Sequence, residues 1–373
     1  MPVTIGFDAT SAVRQRAGIG RYTRELLAAL ARREDPTRYR LIYCSGPDGR
    51  LPTLSSRFQA RPLPVTDRIA NAVWHRARLP IPVQFFTGRI DLFHAPDFTA
   101  PPAPRVPTVV TIHDLAFLRR PECAYPTLRA YLEQVVPRAA RRATHIIAVS
   151  EQTRRDIVEL LGVPGEKVTV IPEGLSSLPR LSESEANALV RKVVAGRFIL
   201  AVGTLEPRKN YPRLLEAYAS LRELGWRHRL VIAGARGWMD EPIFEALRAL
   251  NLTDYVSILR PDDRVLAALY RTADAFIYPS LYEGFGIPPL EALAAGTPTA
   301  CSATSSLPEV VGDAALTFDP ESVDGMTRAL DRLLGDRTLS ADLRARGPAR
   351  AARFSWDKTA EATALLYSRL AHA

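Results

Sequence analysis

YPSLYEGFGIPPLEALAAGTP, residues 278–298, is the stretch on which the fold turns. Glu283 and Glu291 bracket seven residues that cannot all be helical, because Gly284, Gly286, Pro288 and Pro289 interrupt them. Glycine permits unusual dihedrals and close ligand approach, proline suits a first helical turn, and Gly296 suits the residue just past a helix end. The spacing therefore predicts that Glu283 ends a loop and that Glu291 begins a helix. Short apolar runs, DAFIYPS before and PTACS after, read as buried strands on either side.

Outward from this stretch the alternation continues. RFILAVG, HRLVIAG and YVSIL are strand-like, and segments such as YPRLLEAYASLREL have helical spacing. Earlier in the chain VTIGFDA, YRLIYC, RVPTVVTIHD and THIIAVS repeat the pattern, with Ile19, Tyr22, Leu26 and Leu30 on one helical stripe. Strands alternating with helices imply parallel sheets covered on both faces, with functional loops at the carboxyl ends of the strands. The fold class is therefore α/β, with two successive Rossmann-like units. The stretch IPEGLSSLPRLSESEA is the best linker, so the domains are expected at 1–178 and 179–373. A last helix, spaced through Trp356, Ala360, Leu365 and Leu366, is free to pack back on the N-terminal domain.

Composition bounds the function. A chain of 373 residues with 47% apolar and 24% charged residues suits two folded domains and excludes a disordered protein. No apolar run approaches the roughly 18 residues that span a bilayer, and MPVTIGFDAT lacks the features of a signal peptide, so a cytoplasmic site is expected. Cys44, Cys123 and Cys301 form no CxxC pair, which points to buried free thiols. The net charge of +9 is uneven, since residues 1–178 carry 25 Lys and Arg against 16 Asp and Glu, and residues 179–373 carry 24 against 24. Arg14, Arg16, Arg21, Arg24, Arg32, Arg33, Arg38 and Arg40 cluster early. Such a patch suits an anionic membrane surface, an acidic substrate or nucleic acid, or is a solvated face.

The glycine-rich loop from Gly284 through Phe285 and Gly286 to Ile287 would set backbone N–H groups and a helix N-terminus beside two carboxylates, a mixture suited to a ligand with both phosphates and hydroxyls. A nucleotide sugar is such a ligand; the alternative is a surface loop residue and a helix-stabilising charge. In LEPRKN, Arg208 and Lys209 suit a cationic clamp for a diphosphate, or form a solvated basic turn. Gly18 and Gly20 in RAGIGRY precede a helix whose N–H groups suit a phosphate, although Thr23 replaces the third glycine of a dinucleotide fingerprint. His113 in TIHD stands at a strand end, with Asp114 as a partner orienting the loop, and Ser150 reads as a helix N-cap. GxxxxGKS, HExxH and any Asp-x-Asp pair are missing, so no metal or other cofactor is expected.

Taken in order, GIGRYTREL, VVTIHDLAFLRRPE, AVSEQTRRDI, VIPEG, AVGTLEPRKN and the Glu283–Glu291 motif resemble the retaining glycosyltransferases of family 4, over nearly the entire chain. The resemblance implies the GT-B architecture, two Rossmann-like domains facing across a cleft, with acceptor on the N-terminal side and donor on the C-terminal side. It implies that Glu283 contacts the transferred sugar, Glu291 holds the ribose hydroxyls, His113 faces the donor sugar, and Gly18 and Gly20 close on the diphosphate. Many relatives place Arg directly after the strand's glycine, where this chain has Thr204, so the division of labour between Arg208 and Lys209 stays open. The chain looks most like bacterial mannosyltransferases of cell-surface polysaccharides, implying GDP-mannose as donor and a lipid-linked or oligosaccharide acceptor. UDP- or dTDP-sugar donors are the alternatives within this reaction. An NAD-dependent oxidoreductase is disfavoured by the broken GxGxxG, and nucleic-acid binding by the lack of any recognisable module.

Overall fold

The computed structural model describes residues 2–15, 18–44, 51–176 and 178–372. Arg16 of the early basic cluster lies outside them. The chain forms two compact units. Unit 1 comprises Met1–Leu115, Ala130–Gly174 and Ser355–Ala373, and unit 2 comprises Ala116–Arg129 and Leu175–Phe354. The division is not a single cut near 178, because a short segment after His113 groups with unit 2 and the terminal helix with unit 1.

Unit 1 holds a seven-stranded parallel sheet in the order β3-β2-β1-β4-β5-β6-β7. The strands are β1 (Thr4–Asp8), β2 (Arg38–Cys44), β3 (Phe58–Leu63), β4 (Leu92–Ala95), β5 (Thr108–Ile112), β6 (His145–Ala148) and β7 (Val168–Val170). Unit 2 repeats the plan with six parallel strands in the order β10-β9-β8-β11-β12-β13. These are β8 (Phe198–Val202), β9 (Arg229–Ala233), β10 (Val256–Leu259), β11 (Ala275–Tyr278), β12 (Thr299–Ser302) and β13 (Leu316–Phe318). Central strands such as FILAV in β8 are buried at every position, as parallel strands covered by helices on both faces must be. The strand order reverses between β1 and β4 and again between β8 and β11. At such a reversal the loops diverge and leave a crevice outside the carboxyl ends of the strands, where ligands bind in open α/β sheets.

In unit 1 the helix Ile19–Arg32 buries Tyr22, Leu26 and Leu30 as their spacing requires. The terminal helix Trp356–Ala371 is capped by Ser355, whose hydroxyl accepts the Lys358 N–H, and packs against Ile19–Arg32, with Tyr22 and Trp356 edge to face at 5.6 Å. Its buried stripe runs through Trp356, Ala360 and Leu366, but Leu365 is 65% exposed, one helical position (100°) off that stripe. Behind it, buried His94 bridges the Tyr367 hydroxyl at 2.5 Å and the Thr111 hydroxyl at 2.8 Å.

Candidate active site

In unit 2 the site is built where two strand-end loops meet beside the β8/β11 reversal. After β8, Pro207–Lys209 forms a single 3₁₀ turn, and Asn210 adopts a left-handed conformation at φ 58° before the helix Tyr211–Glu223 begins. After β11 the chain runs through Ser280 and Glu283 to Gly286, which caps the helix Ile287–Ala294. Main-chain bonds join the loops: the Leu281 N–H and the Ser280 hydroxyl both donate to the Arg208 carbonyl, at 2.8 and 3.1 Å. The Asn210 amide donates to the Pro279 carbonyl at 3.1 Å. Gly286 sits at φ 114°, a conformation that requires glycine, and a Cβ there would also press on Leu307 Cδ2 at 2.7 Å.

This scaffold brings Arg208, Lys209 and Glu283 into one cluster. Glu283 Oε1 accepts from Lys209 Nζ at 2.6 Å, the Tyr278 hydroxyl at 2.9 Å and the Ser280 hydroxyl at 2.5 Å. Its Oε2 lies 2.7 Å from an Arg208 nitrogen, while a second nitrogen of the same guanidinium reaches buried Glu206 at 2.8 Å. Arg208 also donates to the Tyr282 carbonyl at 2.8 Å. Burial alone would push the Glu283 carboxyl up, but Arg208 and then Lys209 outweigh it and hold the group down to about 2. Lys209 is shifted down by burial and by Arg208, against the opposing pull of Glu283. Two cations and two carboxylates are thus interlocked, so Arg208 and Lys209 are not a solvated basic turn. A diphosphate arriving here would have to draw these cations partly from Glu283.

Glu291 does not begin its helix; it is the fifth residue of Ile287–Ala294, because Pro288 and Pro289 occupy the first turn. It is buried and accepts from the Tyr270 hydroxyl at 2.8 Å. The backbone before the helix is anchored as well: the Glu283 N–H donates to the Ser305 hydroxyl at 2.9 Å. Ser306 donates to the Glu283 and Phe285 carbonyls at 2.9 and 2.7 Å.

In unit 1, His113 directly follows β5 and is buried. Its Nε2 lies 2.9 Å from the Pro96 carbonyl and its Nδ1 3.2 Å from Glu173 Oε1. Both partners are acceptors, so the ring bonds best as the doubly protonated cation. Burial pulls its proton affinity down, yet Glu173 outweighs that and shifts it up. The Tyr22 ring packs edge to face on the imidazole at 4.7 Å. Ser150 caps the helix Glu151–Leu161 by accepting the Thr153 N–H. Gly18, at φ 55°, caps Ile19–Arg32 and has open space where a side chain would be, whereas a Cβ on Gly20 would lie 2.0 Å from the Gln15 carbonyl oxygen. The missing side chain of Gly20 therefore serves a close backbone approach.

Sequence reasoning overlooked Glu206, Tyr278, Ser280 and Glu173, which orient the expected residues. Tyr278 and Ser280 stand at a strand end and Glu206 lies two residues from Arg208, positions that carried some signal; Glu173 is sixty residues from the histidine it bonds. Among the described residues no three His, Cys, Asp or Glu side chains converge as a metal site, and no helix is long and apolar enough to cross a membrane.

Comparison with known proteins matches residues 16–176 to the family described as Glycosyltransferase Family 4 and residues 188–350 to Glycosyl transferases group 1. The chain is 35% identical over 286 residues to the O-antigen chain mannosyltransferase B of Escherichia coli, covering 75% of this chain and 74% of that one. It is 31% identical over 303 residues to the serotype-specific mannosyltransferase WbdA of Escherichia coli, covering 77% of this chain but only 36% of that longer protein. Sucrose-phosphate synthase from Thermosynechococcus elongatus superposes with a TM-score of 0.78 at 20% identity, covering 99% of each chain.

Proposed function

The chain belongs to the bacterial mannosyltransferase-like glycosyltransferases of family 4, hexosyl-transferring enzymes of GT-B fold, and from that premise we propose that it moves mannose from GDP-mannose to a hydroxyl of a lipid-linked or polysaccharide-precursor acceptor, with retention at the anomeric carbon. The observation that carries this reading is the cluster at the β8/β11 reversal, where Glu283 is buried, ionised and fixed by Arg208, Lys209, Tyr278 and Ser280. The 35% identity to an O-antigen mannosyltransferase supports the choice of sugar.

In the proposed reaction the bond from the anomeric carbon to the β-phosphate oxygen breaks, and the acceptor oxygen takes its place while its proton passes to the departing β-phosphate oxygen. Positive character develops on the sugar and negative charge on the departing diphosphate. Glu283 complements the first, and Arg208 and Lys209 the second, as preorganised charges in a water-poor site. Glu291 holds the ribose hydroxyls, and the backbone of Gly284, Phe285, Gly286 and Ile287 faces the diphosphate. From unit 1, Gly18 and Gly20 contribute helix-start N–H groups to the phosphates, and His113 faces the sugar. The leaving group is neutralised by side chains, so no metal or cofactor is required. The excess positive charge of residues 1–178 supports peripheral contact with an anionic membrane on the cytoplasmic face.

Thermal-shift measurements with GDP, UDP, dTDP and NAD test the class of ligand, since a ligand that binds the native state stabilises it by mass action. GDP is expected to raise Tm most. Product analysis with GDP-mannose then decides the chemistry: an α-linked product is expected, whereas stabilisation by UDP or dTDP alone reassigns the donor, and stabilisation by NAD alone rejects the enzyme class.

A further inference from the structure

The reversal in unit 1, between β1 and β4, opens into a cavity of about 320 Å³ that none of the site residues proposed above lines. Asp8, the last residue of β1, and Asp97, just beyond the end of β4, reach it from the two diverging strands. Its volume lies at the small end of the roughly 300–1,000 Å³ typical of ligand sites, suited to a terminal sugar rather than a nucleotide. Thr10 and Gln15 stand beside the carboxylates, and Trp74 contributes an aromatic surface fixed by its own hydrogen bond to the Ile81 carbonyl at 3.0 Å.

The charge of this lining is opposite to that of the unit around it. The Arg14 guanidinium lies 2.9 Å from Asp67, so the one cation of the lining is matched by a carboxylate; Asp97 feels the charge of His113, and Asp8 is additional. His75 brings no charge at neutral pH, since burial and then Arg142 hold it down to about 4. Asp8 accepts the Thr10 N–H at 2.9 Å and Asp97 accepts the Gln15 amide at 3.3 Å. A carboxylate offers about four lone-pair sites, so each keeps acceptor capacity for a ligand's hydroxyl groups. Burial shifts both carboxyls up. Ionised, they repel a phosphate; protonated, they offer it no countercharge.

We propose that this cavity is the acceptor subsite, that Asp8 and Asp97 hold the hydroxyl groups of the neutral end of a glycan, and that it rejects acceptors whose terminal sugar carries a phosphate or carboxylate. Basic surface outside and acidic cavity inside divide the work: the surface gathers an anionic carrier, and the cavity admits only its uncharged sugar. The assignment rests on the glycosyltransferase reading above for what an acceptor is, but not on the identity of the donor base.

The test uses the full chain in two measurements. Calorimetric titration of the donor-free protein compares methyl α-mannoside with mannose 6-phosphate, for wild type and for Asp8→Asn and Asp97→Asn. Transfer assays with the sugar nucleotide that the protein turns over then compare the same two acceptors. The expected result is at least a tenfold preference for the neutral sugar, and at least a tenfold loss of its affinity and of acceptor kcat/KM in either variant, while GDP affinity is unchanged. Asp97→Glu, which keeps the charge and lengthens the side chain, provides a second variant should an amide fail to fold. Equal or better use of the phosphorylated sugar, or full acceptor affinity in both amide variants, overturns the cavity assignment. Absence of turnover with every sugar nucleotide instead removes the glycosyltransferase reading, and the titration still judges the cavity by itself.

Discussion

The Glu283 carboxylate is shared between Arg208 and Lys209, and its substitution has opposite consequences for binding and for chemistry. In Glu283→Gln Lys209 loses its carboxylate partner and Arg208 keeps only Glu206, so both become better ligands for phosphate and GDP affinity should be equal to or higher than wild type. The charge opposing the developing positive sugar is gone, and kcat should fall on the order of 10²-fold or more, as when one preorganised stabilising group is removed elsewhere. Calorimetry with GDP beside steady-state turnover reads both, and near-normal kcat would defeat the assignment. Arg208→Ala and Lys209→Ala should each weaken GDP more than guanosine, because their partners are phosphate oxygens; equal losses would show that the cations do not touch the diphosphate. The motif spacing made Glu283, Glu291, Arg208 and Lys209 legible as a group. Their pairing was not legible, because seventy-four residues separate Lys209 from the carboxylate it bonds, and nothing in a local pattern reports that distance.

Strands and helices were legible wherever the apolar pattern was long. β1, β2, β5, β6, β8, β9, β10, β11 and β12 read directly from their runs, whereas β3, β4, β7 and β13 did not. β7 and β13 are three-residue edge strands, β3 is an edge strand with four consecutive exposed residues, and the apolar run of β4 is interrupted by His94. The terminal helix was visible in the sequence but its partner was not, since the His94 to Tyr367 bond spans 273 positions. Tyr367→Phe leaves the buried His94 Nδ1 without a partner and should destabilise unit 1 by about 1–3 kcal/mol, read as a lowered Tm. His94 is also a source of acid sensitivity. Burial, with His113 adding, holds it down to about 3, while in the unfolded chain it titrates near 6.5. Between those values the unfolded state binds more protons, so stability is present above about pH 6.5 and is lost as pH falls towards 3. His113 works in the other direction, contributing below about pH 6.5 and less as pH rises through its raised value. Calorimetric scans from pH 7 to pH 4 should show a falling Tm that is flatter in His94→Gln; an unchanged slope would mean that other groups set the dependence.

At the scale of the whole molecule, charge and chain path govern behaviour. Excess EDTA should leave transfer intact, given the side-chain cations proposed for the leaving group; loss on chelation with recovery on added Mg²⁺ or Mn²⁺ would overturn that role. Binding of the full chain to anionic vesicles should appear at low salt and fall steeply as salt rises, because such attractions are screened over about a Debye length. Co-sedimentation without binding at any salt removes the membrane proposal. Much of the early arginine cluster is already engaged, Arg14, Arg32 and Arg33 with aspartates and Arg24 and Arg40 with backbone carbonyls, so the exposed charge is smaller than a sequence count suggests. The chain path has a further effect, on biosynthesis. Unit 1 leaves off at Gly174 and resumes at Ser355, so the helix that covers Tyr22 and His94 leaves the ribosome only after the whole of unit 2. At about 5–20 residues per second, the nascent first sheet waits roughly ten to forty seconds for its cover while unit 2 is made. During that interval it exposes apolar surface to chaperones and to neighbouring nascent chains. Ending translation at Phe354 should therefore yield a chain that binds chaperones persistently and aggregates, although every strand of both sheets is present.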